Sequence, residues 1–307
     1  MTDGVAIRDP QLWNPDLAPS SPERRTWTTW NIAALWIGMA ICIPTYTLAS
    51  SLVDQGWTWQ AAVGAVVLGN LVVLVPIVLN SHAGTRYGIP FPVLVRSSFG
   101  VVGANVPAML RAVVACGWFG IQTWIGGWAI YKLTETAWPG IATLPQLLPG
   151  FAGINTGEFL CFMIFWAMNV WIVLRGMESI RFLETWGSPF LLLIGAALFV
   201  WALVKAGGLG PMLENPAGTT ARGFSGVLGA GLTSAVAFWG TMALSIPDFS
   251  RFARSQKDQI RGQAIGLPGT MALFAFIGAA VTNATVVIFG TRISDPVMST
   301  VSGISSA

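Results

Sequence analysis

An all-α protein crossing a bilayer several times is what the sequence predicts, on three grounds. Of its 307 residues 54% are hydrophobic and only 9% charged, with 35 glycines and 15 tryptophans, whereas an average soluble domain is about 25% charged. Seven apolar runs follow one another at 30–52, 61–79, 112–130, 159–174, 188–204, 224–246 and 268–289. Most are close to the roughly 20 residues that a helix needs to span the hydrocarbon core. With the N-terminus placed in the cytoplasm, 12 of the 16 Lys and Arg fall on the inner side and 4 on the outer, the bias that the positive-inside rule describes. Alternation of period two, which would mark barrel strands, is absent.

Residues 1–26 are polar and read as a cytoplasmic tail. Arg24 and Arg25 precede an apolar run, but that run is too long for the h-region of a signal peptide and lacks a cleavage site, so it is a first span. It contains Gly38 and Pro44, and proline inside a helix removes a hydrogen bond and clashes with the preceding turn. Either the helix is broken there, as at a transporter's binding site, or it is packed and merely kinked. The stretch NSHAGTRYG, with the lone His82, reads as a loop whose histidine is a surface or gate residue. The fourth and fifth runs are short and borrow flanking residues such as 155–158 and 185–187. The sixth holds Gly229, Gly231 and Gly240, reads as a second interrupted span, and ends at Pro247-Asp248, where Asp248 can cap or gate it. The charged run 251–263 reads as a solvated loop. Trp57, Trp59 and Trp138, near span ends, serve as interfacial anchors or packing.

The third run carries the chemistry. Trp118 and Gln122 are four residues apart and share a helix face, among Gly117, Gly120, Gly126 and Gly127. An indole stacks on a flat ring, and a carboxamide both donates to and accepts from a heterocyclic amide, neither bringing charge. Away from their ends the runs contain no Asp, Glu, Lys, Arg or His, so a neutral substrate is expected. The polar groups left inside are chiefly Gln122, Asn70, Asn169, Thr45, Thr241 and Asn283. No HExxH, GxSxG or Walker-type motif and no Cys/His cluster occurs, which argues against an enzyme. Cys42, Cys116 and Cys161 read as unpaired core residues without metal-ligand spacing. The net charge of +3 is spread between apolar runs rather than gathered in a patch, so no nucleic-acid partner is expected.

Several stretches carry a resemblance: ERRTW at 23–27, IPTY at 43–46, NSHAGTRYGIPFPVLVRSSFG at 80–100, GANVPAMLRA at 103–112, WFGIQTW at 118–124, RGMESI at 175–180, GGLGP at 207–211 and IPDFSRFARSQKDQIRGQAIGLPGT at 246–270. The chain resembles the first nucleobase:cation symporter family, the allantoin, hydantoin, cytosine and uracil permeases, and within it the bacterial allantoin permeases. The resemblance implies a leucine-transporter-type fold of two inverted five-helix repeats working by alternating access. Residues 27–206 would be the first repeat and 207–307 the start of the second. It also implies a multi-pass protein of the bacterial inner membrane that imports a neutral heterocycle by cation symport. Trp118 would stack on the substrate, Gln122 would bond it, and Trp239 with its neighbour Phe238 would cover it. Cys42 stands where relatives often carry an amide, which implies altered ring polarity or substrate choice. Backbone carbonyls of Gly38 and Ile41 would contribute to a sodium site, with proton coupling an alternative. No cofactor and no protein partner are implied beyond the substrate and the lipid.

The family pattern has about twelve spans and the seven runs here account for part of it. The eighth span, expected to supply an asparagine to the substrate and hydroxyls to the ion, has no counterpart among them. The expectation is that these 307 residues do not transport alone. A channel, a non-transporting receptor or a packing subunit is the alternative from another class; accumulation against a gradient separates a symporter from each.

Overall fold

A computed structural model describes residues 14–147, 153–214 and 224–305. The start of the tail at 1–13, with Arg8, and the connection at 215–223, with Arg222, lie outside the described residues. Helices account for the architecture, and no strand longer than an isolated bridge occurs among the described residues.

The first span is broken. Helix α1 (Thr29–Ala40) and helix α2 (Ile43–Asp54) meet at 57° across Ile41 and Cys42. The break precedes Pro44, which occupies the second position of α2, where its missing N–H costs no hydrogen bond. Helix α3 (Trp59–Tyr87) starts at Thr58, whose hydroxyl accepts from the Ala61 N–H, and stops at Gly88 in the left-handed region, φ 72°. It absorbs the stretch expected as a loop, and His82 lies on its exposed side. Two short helices, α4 (Phe91–Leu94) and α5 (Arg96–Gly103), lead into α6 (Asn105–Ala137), which overruns the third apolar run at both ends. Helix α7 (Thr156–Leu174) opens with reciprocal bonds between Asn155 and Glu158. Then come α8 (Met177–Lys205), α9 (Leu209–Leu213), α10 (Phe224–Ser245), α11 (Pro247–Ser250), α12 (Gln256–Phe289) and α13 (Pro296–Ser305).

Four described helices are by themselves long and apolar enough to cross a membrane, α3, α6, α7 and α12, and the bent pair α1–α2 makes a fifth crossing. Helices α8 and α10 stand where the fifth and sixth spans are expected. The expected interruption of the sixth span at its glycines is not found. Helix α10 runs through Gly229, Gly231 and Gly240 and turns only at Ile246, before α11. Gly231 is there for approach, because a Cβ on it would stand 2.4 Å from that of Ala65 on α3.

Helix α12 is the centre of the molecule. Of its most apolar window 61% is buried, against 6% for α6 and 11% for α7. It packs against α1, α2 and α3, and α10 packs against α3; Ile32, Trp36, Val66, Leu267 and Met271 fill the core between them. Close approach rests on Gly262 and Gly266, whose Cβ atoms would stand 2.7 and 2.8 Å from the carbonyl oxygens of Thr29 and Ala33. Trp57 belongs to this core, whereas Trp138 is exposed. Helices α6 and α7 form a second packed unit, in which Gly127 faces the Phe162 backbone.

One other expectation changes. The run 251–263 is helical from Gln256, and Gln259 and Gln263 are fully buried. The Gln263 amide donates to Ser81 Oγ at 2.7 Å and to Gln259 Oε1 at 2.7 Å, which pins α12 to α3. The described part of the tail is fastened to the bundle. The Ser20 N–H donates to the Gly88 carbonyl at 2.8 Å, Arg25 donates to the carbonyls of Ser20 and Thr85, and Arg251 Nη1 donates to the Asp16 carbonyl at 2.9 Å.

Candidate functional site

On α6, residues 111, 115, 118 and 122 recur at helical spacing and share a face. On α10 and α11, residues 238, 241, 245 and 248 do the same. These two faces line one cavity of about 890 Å³, to which Gly38, Met39 and Cys42 add the break of the first span. Trp118, Gln122, Phe238, Trp239, Cys42 and Gly38 therefore meet at one place, although they come from three parts of the chain. Ile41 is 5% exposed and not on the wall.

A chain of edge-to-face aromatic contacts organises the inner end. Trp118 meets Phe238 at 5.2 Å between ring centroids, Phe238 meets Trp239 at 4.9 Å, and Trp239 meets the fully buried Trp36 at 5.1 Å. Phe238 thus bridges Trp118 and Trp239, and Trp239, only 3% exposed, shows the cavity little of its surface. Edge-to-face pairs of this separation stabilise one another by about 0.5–1.5 kcal/mol beyond their burial, so the inner end is stiff. Gln122 and Thr241 supply polar groups to the wall, whereas Asn70 and Asn169 turn their amides onto the Val66 and Phe165 carbonyls of their own helices. Cys42 Sγ lies 3.3 Å from Thr45 Oγ1, which in turn donates to Met271 Sδ at 3.7 Å.

The break in the first span frees backbone oxygen. The Cys42 N–H bonds to the Ala40 carbonyl at 3.1 Å instead of continuing the ladder to Gly38. Carbonyls released in this way are the hard donors that a small cation takes, and Gly38 reaches the cavity.

Towards the other end the cavity becomes charged. Arg111 pairs with Asp248, whose second oxygen accepts from the Phe91 N–H at 2.8 Å, and Asp16 and Arg251 stand at the mouth. Burial pulls the Arg251 guanidinium below its ordinary value, with Asp248 and Asp16 acting in the opposite direction. Arg111, read in sequence as an orientation signal, is thus a wall residue. Its distance of seven residues from Trp118, two helical turns, was the available signal. The participation of Asp16, from the tail, left none.

The arrangement offers an aromatic, uncharged, partly polar chamber at one end and an ion-paired mouth at the other. Residues 19–304 match the profile of a family described as permeases for cytosine/purines, uracil, thiamine and allantoin. The chain is 49% identical over 292 residues to the purine-uracil permease NCS1 of Arabidopsis thaliana, covering 94% of this chain and 48% of that protein. To the allantoin permease of Bacillus subtilis it is 41% identical over 290 residues, covering 94% and 59%. It spans about half the length of the curated relatives it matches. Two solved structures share its fold. Mhp1, a nucleobase-cation-symport-1 family transporter in a closed conformation with bromovinylhydantoin bound, superposes with a TM-score of 0.77 at 24% identity, covering 96% of this chain and 62% of that one. The inward-facing conformation of Mhp1 gives 0.75 at 25% identity, covering 96% and 61%. The chain accordingly has the leucine-transporter-type fold, in a multi-pass membrane protein.

Proposed function

Because the chain belongs to the family of permeases for cytosine/purines, uracil, thiamine and allantoin, we propose that its cavity is the passage of a transporter for a neutral planar heterocycle of the allantoin, hydantoin, uracil or cytosine type. The observation that carries this is the convergence of Trp118, Gln122, Phe238, Trp239 and Cys42 on one cavity, two helical turns from the nearest charged wall residue on α6. Trp118 stacks on the ring, Gln122 pairs with its amide edge, Phe238 and Trp239 close the far side, and Cys42 offers a weak polar contact. Transport proceeds by cation symport with alternating access, from an inner membrane in which the N-terminus is cytoplasmic. The residues fit sodium as the coupled ion to the extent that the Gly38 carbonyl is released from the helix ladder at a residue lining the cavity; Ile41 would contribute its own from the break. Residues 27–206 form the first five-helix repeat and the chain from 207 onward belongs to the second.

Binding tests this directly. Titration of the purified chain with allantoin, hydantoin, uracil and cytosine should quench tryptophan fluorescence saturably for at least one of them. Trp118→Ala should weaken that binding by about ten- to a hundredfold, the range of one ring stacked on one aromatic side chain. Gln122→Ala should weaken it about tenfold. Unchanged affinity in both variants would remove the site.

A further inference from the structure

We propose that the Arg111–Asp248 ion pair is a latch across the mouth of the cavity, holding α6 to α11, just past the end of α10, and parting when the passage opens. Both side chains line the cavity and neither is sealed from water, at 28% and 26% exposed. Asp248 is where three elements meet. One oxygen takes Arg111 from α6, the other accepts from the N–H of Phe91 at the start of α4, and the Arg111 guanidinium lies 5.5 Å above the Phe91 ring.

Little else joins the two walls. Helix α6 packs mainly on α7, and α10 mainly on α3. Besides the limited packing of α6 on α10, and of α4 on both α6 and α11, two side-chain contacts among the described residues cross the cavity directly, the Trp118–Phe238 ring contact and this ion pair, separated by seven residues, or roughly 10 Å, along α6. The first link lies at the proposed ring site and the second among the charged wall residues, so a molecule moving between the walls at that level has to part the second. A partly solvated pair suits that task, because it adds little to stability and breaks readily. Arg251, the neighbouring cation, is held in its charged form by Asp248 and sends its Nη1 to the Asp16 carbonyl, but it follows α11 on the Asp248 side of the cavity and so does not replace Arg111 as the link to α6.

The inference rests on the cavity being the passage, and the experiment separates the two. Cys42 is on the wall at the inner end, while Cys116 and Cys161 are not. In the 307-residue chain carrying Cys116→Ser and Cys161→Ser, the rate at which Cys42 reacts with a charged, water-soluble maleimide in detergent reports how open the mouth is. Arg111→Gln and Asp248→Asn should each raise that rate about fivefold or more. Arg111→Lys and the exchanged pair R111D/D248R should keep it slow. Asparagine at 248 still accepts from the Phe91 N–H, so that variant removes the pair and not the local fold. An unchanged rate in both neutral variants overturns the latch, as does Arg111→Lys reacting as fast as Arg111→Gln. Slowing of the reaction by allantoin or uracil reads the substrate assignment separately. Faster labelling of the neutral variants with no effect of any heterocycle would keep the latch and discard the substrate.

Discussion

Cys42 has two duties in one residue. It begins α2, where Ala40 takes its N–H, and it shows its thiol to the cavity beside Thr45. A thiol bonds weakly, so the chamber discriminates poorly at that point between rings that differ in a carbonyl or an amino group. Cys42→Asn should sharpen the choice, improving binding of the best-matched heterocycle about two- to tenfold over the others, as one added hydrogen bond allows. A competition panel with allantoin, hydantoin, uracil and cytosine measures it, and equal shifts for all four would show that position 42 does not face the ring. At this scale Trp118 and Gln122 were legible because four residues in a helix mean one face. The role of Phe238 between Trp118 and Trp239 was not, because side-chain contacts between helices leave no periodicity.

Among the elements, α12 shows how far helix contact depends on residues with nothing to contribute but absence. Gly262 and Gly266 bring it against the α1 backbone, and a side chain at 266 would meet the Ala33 carbonyl at its first carbon. Gly266→Val should destabilise the protein by about 1–3 kcal/mol, the range of overpacking in a tight core, seen as a lower unfolding temperature in detergent. The same change at Gly117, whose missing Cβ faces open space, should be near neutral, and comparable losses at both would refute this account of the packing. The spans themselves were readable from apolar runs, since bilayer thickness sets their length. Their ends were not. The polar run from Gln256 looks like a solvated loop, yet inside the bundle Gln263 donates to Gln259 and Ser81, and Gln259 donates to Gln256, and composition does not distinguish a buried amide ladder from a surface one. The glycines of α10 misled in the opposite direction, because one that serves close packing with α3, as Gly231 does, leaves the same signature as a break.

For the molecule as a whole, the first and last long helices hold each other in place. Asp258 on α12 accepts from the N–H and the hydroxyl of Thr29 at 3.0 and 2.8 Å, and so caps α1, while its other oxygen accepts from Ser255 Oγ at 2.6 Å. Asp258→Ala leaves these donors unmatched and should cost about 1–3 kcal/mol; Asp258→Asn, which can still accept from Thr29, should lose less. Thermal unfolding of the two variants distinguishes a cap from a mere surface charge, for which both would be near zero. The membrane class and the family were plain in the sequence, because composition and long shared stretches carry them. This closure of the bundle was not, because its partners lie 229 residues apart. That separation has a temporal side. At the usual pace of about 5–20 residues per second, α1 leaves the ribosome roughly 10–50 s before α12, and throughout that interval its first turn has only Thr28 and Asn31 to steady it. The earliest helix made is thus among the last to be finished, and a chain that ends before residue 258 leaves the first turn of α1 without its Asp258 partner and one flank of the helix bare.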